Sequence, residues 1–320
     1  MTQTVLILGA SGRLGRALVQ AFCHAGWQVL AQSRKPLPMS VGQSIKHLNT
    51  DALAVAELLQ MARQQGPVDV VINALNAPYT NWGTMALPLS DAALTLAQGL
   101  SAMLMLPGNI YNFGRELPVL LREGVAQNAD HLRAKIRKQM EQDMADSSAN
   151  TVVLRAGDYF GGQGGGSWFD MAVVKDIQKG KVVYPGPTDL AHAWAYVPDF
   201  ARCFVAVAEK RASLQGHHDL HFSGHTLSGQ QLHAALELTQ GRGLKLGSLP
   251  WGLFRALAPV VPLMRAFVDM RYLWQRPHQL DNTGLINLIG AEPHTPLKLA
   301  LQEILGRQGT PAKPAQPQNM

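Results

Sequence analysis

The chain is poor in cysteine and in charge. Of its 320 residues only Cys23 and Cys203 are cysteines. They stand far apart, each in an apolar helical pattern, so two buried free thiols are expected rather than a disulfide or a metal pair. Charged residues make up 16% of the chain and form no run of one sign. The net charge of +6 is spread over both halves. That argues against a nucleic-acid partner and leaves a mild preference for anionic ligands. Long uninterrupted apolar runs are also missing. The longest apolar stretch, Leu249 to Val268, is broken by Pro250, Arg255, Pro259, Pro262 and Arg265, too often for a membrane span. No basic segment precedes the first apolar run, so no signal peptide is expected and the expected location is cytoplasmic. A Gly-x-Ser-x-Gly elbow and a Walker lysine are absent, which sets aside hydrolase and phosphotransfer roles. There is no internal repeat.

What is present is an apolar share of 47%, enough for a large core in one large domain or two smaller ones. It opens on an informative segment, Val5-Leu6-Ile7-Leu8-Gly9-Ala10-Ser11-Gly12-Arg13-Leu14-Gly15. An apolar run with β-branched Val5 and Ile7 passes into glycines spaced G-x-x-G-x-x-G, and a helical pattern follows at once. Strand, glycine turn and helix in this order are what a dinucleotide site requires. Gly9 permits the turn, Gly12 lets the backbone approach a pyrophosphate, and Gly15 lets helix and sheet pack closely. The helix N-terminus then faces the phosphates. Gly9, Ser11, Gly12, Arg13, Leu14 and Gly15 are the candidate cofactor-loop residues; a dinucleotide-type unit without its ligand is the competing reading.

Downstream, apolar runs predict strands at Thr4–Leu8, Gln28–Gln32, Ile45–Leu48, Val68–Asn73, Ala102–Leu106 and Thr151–Arg155. Helical patterns at Arg13–Ala25, Asp51–Gln64, Pro88–Gly99 and Asp130–Ala145 lie between most of them. Continuous apolar strands suit a parallel sheet covered on both faces. The expected class is therefore α/β, a Rossmann-type doubly wound parallel sheet with a smaller C-terminal α+β substrate lobe. Residues 1–155 would form most of the dinucleotide domain, with the sheet completed by segments near 190–215, and 156–306 most of the lobe. In that lobe helices are expected at Ser167–Lys179, Asp199–Lys210, Ser228–Gln240 and Pro262–Trp274, and strands at Lys181–Tyr184 and Asp219–Phe222. The Pro/Gln/Gly/Lys-rich end, 307–320, reads as a disordered tail.

At the end of the second strand stands Ser33-Arg34-Lys35 instead of the acid that usually receives a ribose 2′-hydroxyl. Arg34 can hold a 2′-phosphate by a forked, charge-assisted contact, and Arg13 can add to it. This favours NADP(H) over NAD(H), unless Arg34 is an ordinary solvated cation. Asp51 fits either the adenine edge or a helix N-cap. Asn73-Ala74 ends the fourth strand near the expected ribose and nicotinamide.

The chain resembles the extended, in part atypical, short-chain dehydrogenase/reductase superfamily, in its NAD(P)-dependent epimerase/dehydratase group. The resemblance rests on Gly9 to Gly15, Val70-Val71-Ile72-Asn73-Ala74, Asn109-Ile110-Tyr111-Asn112-Phe113-Gly114, Leu154-Arg155-Ala156-Gly157-Asp158-Tyr159-Phe160-Gly161, Tyr196-Val197-Pro198-Asp199-Phe200-Ala201, and Leu288-Ile289-Gly290 through Thr295-Pro296-Leu297. It implies a Tyr-x-x-x-Lys pair on a helix and a Ser or Thr on the fifth strand, and here the chain departs. The hydroxyl position falls on Pro107. With Lys135 as the lysine, the tyrosine position is His131; with Glu141 setting the register, the two positions are Arg137 and Arg133. The helix contains no tyrosine.

Substitutes are available. His131 with Lys135 one turn on would make a proton relay; a surface histidine is the plainer reading. Tyr111, just beyond the fifth strand, can donate a proton or simply pack. Asn109, Asp158, Tyr159 and Trp194 are candidate substrate contacts, with loop structure and interlobe packing as alternatives. His192 shares the position of Trp194. His217, His218, His221 and His225 match no ligand spacing and read as solvated, so no metal is expected. The Trp251–Trp274 region reads as a lid or a dimer surface; a membrane-surface helix ranks last because prolines interrupt its moment. The expected function is an NADP(H)-binding, epimerase/dehydratase-like oxidoreductase acting on a small carbonyl or a nucleotide sugar. The alternative is a non-catalytic NADP(H)-binding sensor or accessory protein. A homodimer through Pro88–Gly99 and Asp130–Ala145 is implied by the family.

Overall fold

The computed structural model describes residues 2–37, 44–77 and 81–308. Strand and helix alternate through β1 (Thr4–Leu8), α1 (Arg13–His24), β2 (Gln28–Gln32), β3 (Ile45–Leu48), α2 (Val55–Arg63), β4 (Val70–Asn73), α3 (Trp82–Leu100) and β5 (Met103–Gly108). A 3₁₀ turn at Tyr111–Glu116 and the short β6 (Leu120–Leu121) lead to α4 (Leu132–Ala145) and β7 (Thr151–Arg155). Seven strands form one all-parallel sheet in the order β11-β7-β5-β4-β1-β2-β3, where β11 is His217–His221. Chain order reverses between β1 and β4, which opens a crevice at their carboxyl ends.

The alternation along β1 shows why the sheet is covered on both sides. Val5 and Ile7 belong to a core with Phe22 of α1 and Phe200 and Phe204 of α5 (Val197–Glu209). Leu6 and Leu8 belong to the opposite core, with Leu58 of α2, Leu96 of α3 and Met140 of α4. All five residues of β1 are buried, as a central parallel strand demands.

The second lobe holds β8 (Asp158–Phe160), β9 (Lys181–Tyr184), β10 (Ala191–Tyr196), β12 (His225–Ser228), α6 (Gly229–Gln240) and β13 (Lys245–Ser248). It continues through α7 (Trp251–Leu257), α8 (Pro262–Asp269), β14 (Gln279–Leu280), α9 (Thr283–Ile289) and α10 (Leu297–Gln308). Strands β12-β10-β8 form a small sheet over an aromatic core that includes Phe160, Phe169, Trp168, Trp194 and Trp274.

Several sequence expectations shift. The helix expected over Ser167–Lys179 is a π-turn at Phe169–Val173 and a 3₁₀ turn at Ile177–Lys179. Adjacent β-branched Val173 and Val174, both buried, favour burial over a regular helix. Helix α3 starts at Trp82, ahead of the expected Pro88, and carries that proline inside. The Pro262–Trp274 helix ends at Asp269 and gives way to a 3₁₀ turn at Arg271–Trp274. The strand expected at Asp219–Phe222 within the lobe is instead β11 at the edge of the central sheet, beyond the 190–215 region expected to complete it. Residues 307 and 308 belong to α10, and the rest of the expected tail, 309–320, lies outside the described residues. Among the described residues no helix is long and apolar enough to cross a membrane.

Candidate functional site

The glycine turn sits at the carboxyl end of β1, beside the crevice. Gly9 has φ +75, and a Cβ there would lie 2.9 Å from the Ala74 carbonyl oxygen. A Cβ at Gly15 would lie 2.2 Å from the Gly9 carbonyl oxygen, so helix and turn touch only because Gly15 has no side chain. The Gly12 N–H donates to Gly9 O at 2.9 Å. Buried Gln32 fixes the turn from the next strand: its Oε1 accepts from Gly9 N–H at 3.0 Å and its Nε2 donates to Thr50 O at 2.7 Å. No side chain caps α1 at Gly12, and no acid stands in its first turn. The positive end of the helix is therefore left for an anion. Ser11 contributes its carbonyl to Arg16 Nε at 2.8 Å, which secures the loop from behind.

Arg34 leaves the end of β2 with its side chain 77% exposed, and Asp51 lies 3.6 Å from its guanidinium. Asp51 also accepts from the Leu53 N–H at 2.9 Å, while the N-cap of α2 is Ala54. Arg13 does not join Arg34. Its guanidinium binds the Asp170 carboxylate, the Gly164 carbonyl and, at 3.1 Å, the Ser167 hydroxyl. A charge this close to a carboxylate outbids a distant one, so Arg13 ties the glycine turn to the loop of the second lobe. Asn73 is buried and its Oδ1 accepts from Leu75 N–H at 3.3 Å; Ala74 N–H donates to Leu8 O at 3.1 Å.

Across the sheet, Pro107 lies in β5 and its carbonyl accepts from Arg137 of α4 at 3.3 Å. The Arg137 guanidinium stacks over Trp82, 5.2 Å from the ring centroid, and its Nε is buried without a hydrogen-bond partner. Burial pulls its pKa down, Glu141 pulls it up, and Tyr159 and Tyr111 are both within electrostatic reach. The α4 register that faces the sheet is thus the one set by Glu141.

His131 and Lys135 lie elsewhere. His131 is the N-cap of α4; its Nδ1 accepts from Ala134 N–H, and its Nε2 is 3.1 Å from the Tyr272 hydroxyl. Burial pushes its pKa below the usual histidine value. Lys135 is exposed. The structure does not bring these two together as a relay at the sheet edge.

Tyr111 opens the 3₁₀ turn after β5; its N–H donates to Asn109 Oδ1 at 3.0 Å, and its ring is 6.5 Å from Trp82. Tyr159 packs on Phe200 at 5.6 Å, and burial raises its phenol pKa well above normal. Asp158 accepts from His192 at 2.8 Å, and His192 stacks on Trp274 at 4.1 Å. Trp194 is only 1% exposed and lies among Phe160, Phe169 and Trp274, as the middle strand β10 dictates. It belongs to the lobe core rather than to a pocket wall.

The histidines expected in solvent are corrected in part. His221 is fully buried with Nδ1 3.2 Å from Leu121 O, and His225 is buried against Phe160. Burial and neighbouring His294 push the His225 pKa down to about 4, so its ring is neutral near pH 7. Their strands pair inside the fold, which hydropathy alone does not reveal. Asp199, His225 and His294 form a trio with ligand-type atoms close together. Both Asp199 oxygens are already taken, by Thr295 and Arg202, so the aspartate serves the fold.

One constellation was not singled out from sequence. Fully buried Arg155 donates to Glu141 at 3.0 and 2.7 Å, to Asp219 at 2.8 Å and to Asn109 O at 2.6 Å. It binds α4, β7, β11 and the Tyr111 turn into one unit. Its sequence signal was the Glu141 register read together with Arg155 at a strand end.

The architecture defines a class: a doubly wound dinucleotide-type sheet with a lobe across its carboxyl edge. Among solved structures the chain is similar in fold to nucleotide-sugar enzymes. A dTDP-glucose 4,6-dehydratase from Bacillus anthracis in complex with NAD matches at TM-score 0.74 and 12% identity, over 95% of this chain and 96% of that one. A UDP-glucose 4-epimerase from Bifidobacterium longum in complex with NAD⁺ and UDP matches at TM-score 0.73 and 14% identity, over 96% and 98%. A UDP-glucuronic acid 4-epimerase from Bacillus cereus in complex with NAD gives 0.72 and 17%, over 95% and 99%. No family model matches the sequence, and no curated protein matches it significantly. The chain has the fold of the extended epimerase and dehydratase enzymes.

Proposed function

We propose that the protein is a nicotinamide-dinucleotide-dependent oxidoreductase or epimerase-like enzyme of the extended short-chain dehydrogenase/reductase type. Its substrate would be a small carbonyl compound or a nucleotide sugar. The observation that carries this reading is the glycine turn, in which Gly9 and Gly15 leave no room for a Cβ and the uncapped end of α1 faces the crevice. The backbone of Ser11 to Gly15 would hold the pyrophosphate, Asn73 and Ala74 would border the nicotinamide side, and Asp51 and Arg34 would border the adenine ribose. A bound nicotinamide would supply hydride transfer at its C4.

The cofactor we favour is NADP(H). Arg34 is a cation at the end of β2, and its acidic neighbour Asp51 is at 3.6 Å between exposed groups, a pairing that a 2′-phosphate easily replaces. Arg34→Ala is expected to weaken NADPH about tenfold and NADH less than twofold, as loss of one charge-assisted contact implies. Fluorescence titration of both cofactors checks it; equal losses would remove the preference.

For the proton we assign Tyr111, with Arg137 as the cation that stabilises negative charge as it develops on phenol or substrate oxygen. Arg137→Met is expected to lower kcat/KM for NADPH oxidation by about 10²–10³ with cofactor affinity little changed. Arg137→Lys should recover part of it. The assay is steady-state turnover over small carbonyls and nucleotide sugars. The second reading, a cofactor-binding sensor or accessory protein, draws on Pro107, which puts an aprotic residue where a hydroxyl is expected. Tight NADPH binding with no turnover on any substrate favours it. A homodimer through α3 and α4, which pack side by side, remains part of this proposal.

A further inference from the structure

The end of the α7–α8 hairpin is both apolar and bare. Leu253, Leu257, Val260 and Leu263 are 56%, 38%, 76% and 40% exposed, although they occupy one short stretch of chain. Ala256, Pro259 and Pro262 between them are exposed as well. The prolines do not scatter this surface; they build its corner. The N–H groups of Val260 and Val261 close α7 on Leu257 O, and Pro262 starts α8. Arg265 ties the corner by donating to the carbonyls of Ala258 and Pro259, each at 3.4 Å. The inner side of the hairpin is anchored: Phe267 lies 5.0 Å from Trp168, and Trp251 lies 6.3 Å from it. Residues on both sides of the corner are exposed together, so it projects as an edge and not as a groove.

Along this stretch of the sequence the charge has one sign. No acidic residue occurs between Glu237 and Asp269, whereas Arg242, Lys245, Arg255 and Arg265 do, and all four are exposed. We propose that the α7–α8 corner docks on an anionic lipid surface, with Leu253, Leu257, Val260 and Leu263 entering the interface and Arg255 and Arg265 meeting lipid phosphates. A second copy of the chain fits less well, because a two-fold contact through this edge would set the same arginines against each other. The hairpin is rooted at the start of α4: Asp269 lies 3.9 Å from Arg133, and Tyr272 meets His131. Docking here would hold that side of the molecule near the bilayer.

The test is co-sedimentation of the full chain with vesicles of phosphatidylcholine alone and of phosphatidylcholine mixed with phosphatidylglycerol. Binding is expected to the mixed vesicles and to fall with added salt. The double variant Val260→Asp/Leu263→Asp, at side chains outside the core, should lose at least about tenfold in binding. Arg255→Ala should lose about fivefold. Unchanged thermal unfolding of these variants establishes that the fold is retained. Absence of binding to the mixed vesicles, or binding that the double variant does not weaken, overturns the proposal. So does a concentration-dependent dimer that Val260→Asp dissolves, since the surface then belongs to a second copy.

Discussion

Glu141→Ala is expected to destabilise the protein by about 3–5 kcal/mol, the range for removing one partner of a buried ion pair. Arg155 has no exposure, and Glu141 takes two of its N–H groups. Its remaining partners, Asp219 and the Asn109 carbonyl, cannot supply the lost geometry, and the Gln127 Nε2, which donates to Glu141 at 2.9 Å, loses this acceptor too. The electrostatics agree from both ends. Burial opposes the Arg155 charge, but Glu141 and Asp219 carry its pKa upward. Burial would raise Asp219, but Arg155 and His221 hold it down at about 2. A carboxylate depressed on folding gives stability that is complete above its unfolded pKa near 3.9 and is lost as pH falls through about 2. Wild-type stability should therefore decline below about pH 4. Urea denaturation of wild type, Glu141→Ala and Glu141→Ala/Arg155→Met checks the network. The double variant should recover part of the loss, because it leaves no buried guanidinium unpaired. A single-variant loss under about 1 kcal/mol would mean the pair is not held as described.

Much of this architecture was legible because the dinucleotide half obeys local rules. β1, β2 and β7 are built on apolar runs, the edge strand β3 keeps apolar Ile45 and Leu48 around Lys46 and His47, and the ends of all four agree with the sequence reading to the residue. The glycine turn was legible because Gly9 and Gly15 answer steric needs that a residue with a Cβ does not meet. The second lobe was less so, since β8 and β12 are short and the three strands β8, β10 and β12 carry Asp158, His192, Trp194 and His225, whose burial depends on distant partners. Asp158 hides the polar edge of His192 and Trp274 covers its face, a pairing that sequence spacing cannot show. The α4 register was left open because Lys135 and Glu141 pointed to different alignments. Contact with Pro107 and Trp82 distinguishes Arg137 from Lys135, and contacts of that kind are long-range. The α7–α8 corner was discounted because helix periodicity treats a proline as an interruption, whereas here prolines turn two short amphipathic pieces onto one edge.

The other large effect is expected at Gly15. Gly15→Ala would place a Cβ 2.2 Å from Gly9 O and 2.8 Å from Ala10 Cα, both backbone atoms that cannot rotate away. The helix must therefore retreat from the turn, which costs about 1–3 kcal/mol as overpacking does. It also moves the N–H groups of Arg13 and Leu14 away from any phosphate. Losing two charge-assisted contacts of about 1.5–3 kcal/mol each implies at least a hundredfold weaker NADPH binding. Gly26→Ala separates this from general glycine effects. Gly26 has φ +81, and nothing lies within 4 Å of a Cβ there, so the variant should lose only about 1 kcal/mol through strain and bind cofactor normally. Calorimetric titration of both variants with NADPH, beside their melting curves, gives the answer. If Gly15→Ala melts lower but binds as well as Gly26→Ala, the turn holds the fold and not the dinucleotide. The phosphates, if any, would then have to be sought away from α1, and the Arg34 assignment would go with them, because Arg34 reaches a 2′-phosphate only when the adenine ribose lies between β1 and β2.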